Sequence, residues 1–365
     1  MSKDYLGFRA KIGVLVPFTN TIVQPEFELL KPRGVTNHTA RIPNRKRPTH
    51  SDEAYAEAMR EGAIGTEEVI DKLKKWINDQ DQNYVHWIDI FFKSIQFNIT
   101  PISIADSFRE FQEKNEASWI FTSATLAANS SFDHFQSVMG LENAKTKLLK
   151  SPFNYSKNAY LYVPEEMPET TSRLFNTHLV AKIYPLIIAA KGRTFILSTS
   201  IKSMNEITSL LKDEFEKNDI DYPILTQGEK SKIKLLEQFK HHGNAILIGS
   251  LSFWEGVDVR GKELSLVIID KLPFQSPGDP IFESKINLLS SKGINAFLEF
   301  QLPKAIISLK QGAGRLIRDE EDKGVLMICD QRIISKPYGK SFWQSLPSFK
   351  RTRNQEDVMQ FLNHL

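Results

Sequence analysis

Short apolar runs separated by amphipathic stretches dominate the chain, and from residue 172 onward the two alternate regularly. The runs at 194–197, 222–225, 245–249, 264–269 and 324–328 are each four to six residues long. Apolar runs of that length, without polar alternation, mark strands buried on both faces. Helix-patterned segments lie between them at 172–190, 201–215 and 230–241. Strands separated by helices in this way predict a doubly wound α/β domain built on a parallel sheet.

The upstream half is less regular. Residues 10–17, AKIGVLVP, predict a buried strand closed by proline. A short helix at 25–30, a strand at 35–42 and a helix at 51–62 follow, with Ser51 as N-cap, giving a βαβα opening. The stretch 66–83 is charged and amphipathic and ends in the polar break NDQDQN, so a boundary is expected within 62–84. Beyond it, 85–92 and 94–100 predict strands and 104–113 a helix. SWIFTS at 118–123 predicts another strand, 132–139 a helix and 159–163 a strand.

Composition narrows the class without naming a chemistry. Apolar content of 41% and charged content of 25% belong to a soluble globular protein. Forty-seven basic residues against 44 acidic ones leave a formal charge of +3, which neither demands nor excludes nucleic acid. Cys329 is the sole cysteine, so a disulfide framework and a Cys-rich metal site are excluded, and no metal ligands are expected. A reducing, cytoplasmic location fits. No apolar run is long enough to span a bilayer, and the opening MSKDYLGFRAKIG lacks the apolar core of a secretory signal.

Four segments carry candidate chemistry. QGAGRLIRD at 311–319 places Arg315 and Arg318 three apart, just behind a Gly-x-Gly formed by Gly312 and Gly314. On a helix that spacing puts both guanidiniums on one face, where their planar forks suit triphosphate oxygens. Ser123, Ala124 and Thr125 end the predicted strand, where hydroxyls could relay hydrogen bonds from a phosphate site, although for this common triplet alone a capped turn is the favoured reading. Ser198, Thr199 and Ser200 follow the strand TFIL and open a helix, a position suited to nucleotide or nucleic-acid phosphate as well as to an ordinary N-cap. In FWEGVDVRG at 253–261, Gly256 permits an unusual turn, Trp254 offers an apolar anchor, and Glu255 and Asp258 offer carboxylates to a ribose, an arginine or a water. Asp270 and Lys271 end the strand LVII, where open α/β sheets bind ligands, or else form a surface salt pair.

Taken in order, SAT, STS, FWEGVDV and QGAGRLIR resemble motifs III to VI of XPD-like superfamily 2 DNA helicases of the DinG/YoaA type. The likeness extends to SPFNYSKNAYLYVP, SFWEGVDVRGKELSLVIIDKLPF, QLPKAIISLKQGAGRLIRD and KPYGKSFWQSLP, and covers roughly residues 85 to 365. It implies a RecA-like doubly wound parallel sheet over 151–350 (helicase domain 2), the C-terminal remnant of a first RecA-like domain over 85–150, and a tail at 351–365. It implies ATP with Mg²⁺ as cofactor, single-stranded DNA as partner, and Arg315 and Arg318 as arginine fingers on the γ-phosphate. Gln311 would touch nucleotide or the preceding motif loop, beside Gly312 and Gly314. Glu255, Gly256 and Asp258 would couple nucleotide to DNA movement, and Ser123, Thr125, Ser198, Thr199 and Ser200 would face nucleic acid.

The other half of such a site has no counterpart in this sequence. There is no G-x-x-x-x-G-K-[ST]: the one Gly-Lys-Ser, at 339–341, has Ile334 where the leading glycine belongs. No DEAH-like box is present, and the family's four iron–sulfur cysteines are absent. Residues 1–65, by contrast, resemble the maleate isomerase group of the Asp/Glu racemase superfamily, implying a short βαβ segment whose Asn20 and Thr19 would bind a carboxylate. The chemistry of that group uses cysteine, which this segment lacks. The expected organisation is therefore composite, with 66–84 as a junction helix. Three readings follow: the motor half of an ATP-dependent helicase that does not unwind DNA alone; a single-stranded nucleic-acid-binding module, or one complementing a chain that supplies the phosphate loop; and, least favoured, a maleate isomerase-like enzyme.

Overall fold

A computed structural model describes residues 10–17 and 35–42 as backbone strands. It further describes 70–115 except 75, 78–80, 82 and 92–94, and 117–365 except 124, 251, 252, 254–260 and 277. The chain divides into two compact units, 1–114 with 276–293, and 115–275 with 294–365.

In the first unit, β1 (Ala10–Pro17) and β2 (Val35–Ile42) pair in parallel, from Ala10 opposite Val35 to Pro17 opposite Ile42. The expected helices at 25–30 and 51–62, with Thr19 and Asn20, lie outside the described residues. β3 (Tyr84–Ile90) and β4 (Ile95–Pro101) form a separate antiparallel pair, with Tyr84 opposite Pro101. Trp76 braces β4 by donating its indole N–H to the Asn98 carbonyl at 3.0 Å. α1 (Ala105–Lys114) follows, and α7 (Pro280–Ser291), far along the chain, belongs to this unit. Asp279 caps α7, accepting from the amides of Ile281 and Phe282, and Pro280 sits where a missing N–H is harmless. A two-stranded sheet cannot bury both faces of itself, and Ile88, Ile90 and Ile95 are exposed.

The second unit holds a seven-stranded sheet, parallel throughout, in the order β11-β5-β10-β9-β6-β8-β7. Its strands are β5 (Ala159–Tyr162), β6 (Thr194–Leu197), β7 (Ile224–Thr226), β8 (Ile246–Gly249), β9 (Leu266–Ile269), β10 (Gly324–Ile328) and β11 (Lys350–Thr352). The connecting helices are α2 (Asp133–Met139), α3 (Tyr155–Asn158), α4 (Phe175–Ala189), α5 (Ile201–Lys217), α6 (Lys232–His242), α8 (Leu302–Ala313), α9 (Arg332–Ser335), α10 (Gly339–Ser345) and α11 (Gln355–Asn363).

Strand alternation sorts the core into two layers. Phe195, Leu197, Leu247, Val267, Ile269 and Leu326 face one way, packing with Phe239 of α6, Ile306 and Leu309 of α8 and Phe342 of α10. Ile196, Ile246, Ile248, Ile268, Val325 and Met327 face the other, against Leu179 and Ile183 of α4, Ile207 and Leu211 of α5 and Leu362 of α11. Burial on both faces explains why these strands lack polar alternation.

Some expectations need revision. Residues 118–123 form no strand. The stretch 351–365, set off above as a tail, supplies the edge strand β11 and a helix whose Val358 and Leu362 are fully buried. Most consequential, α8 ends at Ala313, before either arginine of QGAGRLIRD.

Candidate functional site

The site is built on the carboxyl edge of the seven-stranded sheet, where the ends of β6, β8, β9 and β10 lie side by side. Asp270, directly after β9, is fully buried and organises the neighbouring loop. It accepts the Thr199 amide at 2.9 Å, the Lys271 amide at 2.6 Å and the Ser203 hydroxyl at 3.0 Å, with the Thr199 hydroxyl at 3.4 Å. Burial raises its pKa to about 6, and these donors only partly counter the desolvation. Lys271 turns away from Asp270, donating its ammonium to the Thr170 carbonyl at 2.8 Å over the Phe175 ring. The surface salt pair considered above is not formed.

Ser198, Thr199 and Ser200 therefore have distinct places. Ser198 is fully buried, which leaves its hydroxyl no surface on which to meet nucleic acid. Thr199 is half-buried, its amide and hydroxyl turned to Asp270. Ser200 is exposed and caps α5, accepting the Ser203 amide at 3.1 Å. Ser203 also lies 3.1 Å from the side-chain oxygen of Asn176, whose NH₂ donates to Glu206 at 2.9 Å.

One strand further on, Gln227 accepts both the amide and the hydroxyl of Ser250, at 2.7 and 2.9 Å. This bond fixes the chain as it leaves β8 for FWEGVDVRG. Phe253 is buried against Gly249, where an added Cβ would come within 2.7 Å of the ring. Trp254, Glu255, Gly256 and Asp258 lie outside the described residues.

The glycine–arginine segment is a turn rather than a helical face. The amides of Gly314, Arg315 and Leu316 bond back to the carbonyls of Lys310, Gly312 and Ala313. Gln311 lies in the last turn of α8; Gly312 is buried and Gly314 exposed. Leu316 and Ile317 are buried between the half-buried Arg315 and Arg318 and anchor the segment in the core. Asp322, also buried, accepts the amides of Arg318 and Asp319 at 2.8 and 2.9 Å. Gly324 completes the seat, because a Cβ there would meet the Ser265 carbonyl at 2.5 Å and Leu316 Cδ1 at 2.6 Å.

Ser123 and Thr125 form a local turn, with the Thr125 amide donating to the Ser123 hydroxyl at 3.2 Å. Their loop is tied to the same unit by Lys310, which donates to the Ala127 carbonyl at 2.7 Å, and by Ser345, which bonds the amide and side chain of Asn129.

Sequence reasoning missed the pair at the end of β10. Asp330 is fully buried and accepts the Leu272 amide at 2.8 Å and the Arg332 amide at 2.9 Å. Arg332 also clasps it through Nε at 3.0 Å and a terminal nitrogen at 2.6 Å, with its guanidinium over the Phe274 ring. Burial opposes the Arg332 charge, but the bonds to Asp330 outweigh it and raise the guanidinium pKa. An Asp-x-Arg directly after an apolar run was the available signal. Between these carboxylates, Cys329 is buried, and its pKa is pushed well up by burial and then by Asp270 and Asp330. Among the described residues, no group of three or more His, Cys, Asp or Glu could hold a metal ion. No helix among them is long and apolar enough to cross a membrane.

Residues 183–349 match the family model described as "Helicase C-terminal domain". The "ATP-dependent DNA helicase YoaA" of Escherichia coli K12 is 45% identical over 291 residues, which is 80% of this chain and 45% of that protein. The protein of that name from Haemophilus influenzae is 44% identical over 293 residues, with the same coverage. The "ATP-dependent helicase DinG" of Mycobacterium tuberculosis is 34% identical over 272 residues, 73% of this chain and 40% of that one. The chain thus spans less than half the length of these relatives. Among solved structures, one titled "XPD_Helicase" superposes with a TM-score of 0.56 at 18% identity, covering 85% of this chain and 57% of its own. A second, "XPD_APO", gives 0.55 at 20% identity, covering 85% and 64%. Both support the RecA-like fold. The chain belongs with the DinG/YoaA-type superfamily 2 helicases, as the counterpart of their C-terminal half.

Proposed function

We propose that the chain is the arginine-bearing half of an ATP-dependent DNA helicase motor. The observation that carries the reading is the turn at 312–318, held between α8 and β10 by Leu316, Ile317 and Asp322, so that two half-buried guanidinium residues flank a fixed backbone. In this reading Arg315 and Arg318 meet the γ-phosphate of an ATP held on a facing phosphate-loop domain. There they stabilise charge as it develops on the transferred phosphoryl group. Gln311, Gly312 and Gly314 bring the backbone close to the nucleotide, and Glu255, Gly256 and Asp258 link it to movement along single-stranded DNA. Ser123, Thr125, Thr199 and Ser200 face the strand.

The donor set suits phosphate rather than metal. Guanidiniums pair with phosphate oxygens, whereas the buried carboxylates Asp270 and Asp330 are engaged in internal hydrogen bonds. Mg²⁺ would be held together with ATP by the facing domain, where it would neutralise phosphate charge. Arginine fingers accelerate transfer on a nucleotide already in place and do not replace a phosphate loop. On this reading the chain needs that domain, in the same or another polypeptide, to turn over ATP.

The test is ATP turnover by the purified chain, with and without single-stranded DNA, alone and mixed with the N-terminal half of a DinG/YoaA-type relative, beside Arg315→Ala. The expected result is DNA-stimulated turnover in the mixture only, lost with Arg315→Ala. DNA-stimulated turnover by the chain alone would refute the dependence on a facing domain. Turnover in the mixture that is indifferent to Arg315→Ala would refute the finger assignment. DNA binding with no turnover in any mixture would leave a nucleic-acid-binding module.

A further inference from the structure

After β10 the chain forms α9 and α10, and with β11 they line an open cleft of about 440 Å³. Its charged lining is Lys336, Lys340 and Arg351, and no carboxylate lines it among the described residues. Neither lysine ammonium has an ion-pair or hydrogen-bond partner among the described residues. Arg351 lies over the Trp343 ring at 4.8 Å and donates to the Trp343 carbonyl at 3.3 Å, so it too lacks a carboxylate there. The neighbouring Arg353, by contrast, is paired with Glu165 at 3.7 Å. Trp343 is locked in orientation by its indole N–H, which donates to the Ile333 carbonyl at 2.8 Å. Three cations on one cleft repel one another unless an anion joins them.

From this geometry we infer that the cleft is a contact site for the phosphodiester backbone of single-stranded nucleic acid, outside the motif loops. Cations beside an aromatic wall, with Pro337 and Gln344 on the rim, are the elements that track a strand by charge and stacking. One wall of the cleft, α9, leaves β10 at the carboxyl edge of the sheet that also carries Ser200, while Arg351 lies on β11 at the far end of the strand order. α9 follows two residues after Asp330, which bonds the exit of β9, and only β9 separates β10 from β6 and its Ser198–Ser200 loop. An acidic protein segment would use the charge but has less use for a fixed indole. The inference rests on the proposed DNA-motor reading.

The experiment is fluorescence anisotropy of fluorescein-labelled oligo-dT with the full chain, between 50 and 200 mM salt, a range over which phosphate contacts are resolved by slope. Lys336→Gln/Lys340→Gln/Arg351→Gln is expected to flatten the log–log salt dependence by about 2, at roughly 0.7 for each of three phosphates. Lys336→Glu/Lys340→Glu leaves the Arg351–Trp343 stack in place, guarding against a folding defect, and is expected to weaken binding more than tenfold at 50 mM salt. Binding by the native chain with an unchanged slope in both variants would overturn the site and leave the motor reading standing. No binding by the native chain at low salt would overturn the site, and the motor reading would be decided separately by turnover in the mixture. Equal displacement of the oligonucleotide by poly-glutamate of matched charge would overturn the nucleic-acid assignment in favour of an acidic protein partner.

Discussion

The Lys310 ammonium donates to the carbonyl oxygen of Ala127 at 2.7 Å, tying the loop after Ser123–Thr125 to the helix that runs into the glycine–arginine turn. Lys310 is one residue before Gln311, so the bond holds two motif segments, distant in sequence, in one frame. Burial pushes the Lys310 pKa down, and this is the charge bonded to Ala127.

Lys310→Met keeps the buried stem and removes the donor. A hydrogen bond from a charged group contributes roughly 1.5 kcal/mol or more. Amides at 125–132 are expected to exchange about tenfold faster in the variant, while those of β9 and β10 stay unchanged. Hydrogen exchange read by mass spectrometry checks this, and equal loosening of β10 would show that the bond stabilises the whole unit instead.

Asp270 gives stability a pH dependence of definite sign. Its pKa rises from 3.8 to about 6 on folding, so between those pH values the folded chain holds more protons than the unfolded one. The contribution of Asp270 is therefore most favourable below about pH 4, falls as pH rises towards 6, and is flat above it. The full difference is on the order of 3 kcal/mol. Asp270→Asn should abolish this component in urea melts from pH 4 to 8. The same proton has a local consequence. An ionised Asp270 takes the Ser203 hydrogen, whereas a protonated one can donate to Ser203 and release its hydroxyl to Asn176.

The sheet was legible because its strands are apolar on both faces, a pattern that leaves little alternative in a doubly wound fold. The positions of Asp270, directly after β9, and of Ser200, three residues after β6 at the start of α5, were also legible. The arginines were not placed correctly by spacing alone. A period of three suits a helix, but Leu316 and Ile317 between them are both drawn into the core, and Asp322 holds the turn from outside the motif. Ser198 looked like one of three equivalent hydroxyls, yet it directly continues the buried run of β6 and lies inside. β11 escaped notice because KRT is polar. An edge strand is fixed by backbone pairing with β5 rather than by apolar content.

Gly324 is the steric condition for that turn. In Gly324→Ala the new Cβ would meet the Ser265 carbonyl at 2.5 Å and Leu316 Cδ1 at 2.6 Å. Overpacking of this kind costs about 2 kcal/mol. A lower urea midpoint is expected, together with faster exchange at 314–322. Adding Leu316→Ala should not restore the midpoint, since the backbone clash with Ser265 remains; full recovery would mean that the side chain alone sets the constraint.

Arg332→Met probes the clasp at the end of β10. Asp330 is fully buried and would keep only the amides of Leu272 and Arg332 as donors. Removing one partner of a buried pair costs about 3 kcal/mol, because the remaining charge is left under-solvated. Asp330→Asn in the same background removes that charge and should recover part of the loss, so the double variant is expected to be more stable than Arg332→Met alone. Thermal melts of the four proteins decide it. A double variant no more stable than Arg332→Met would place the contribution of Arg332 in its stacking on Phe274, which both variants lose equally.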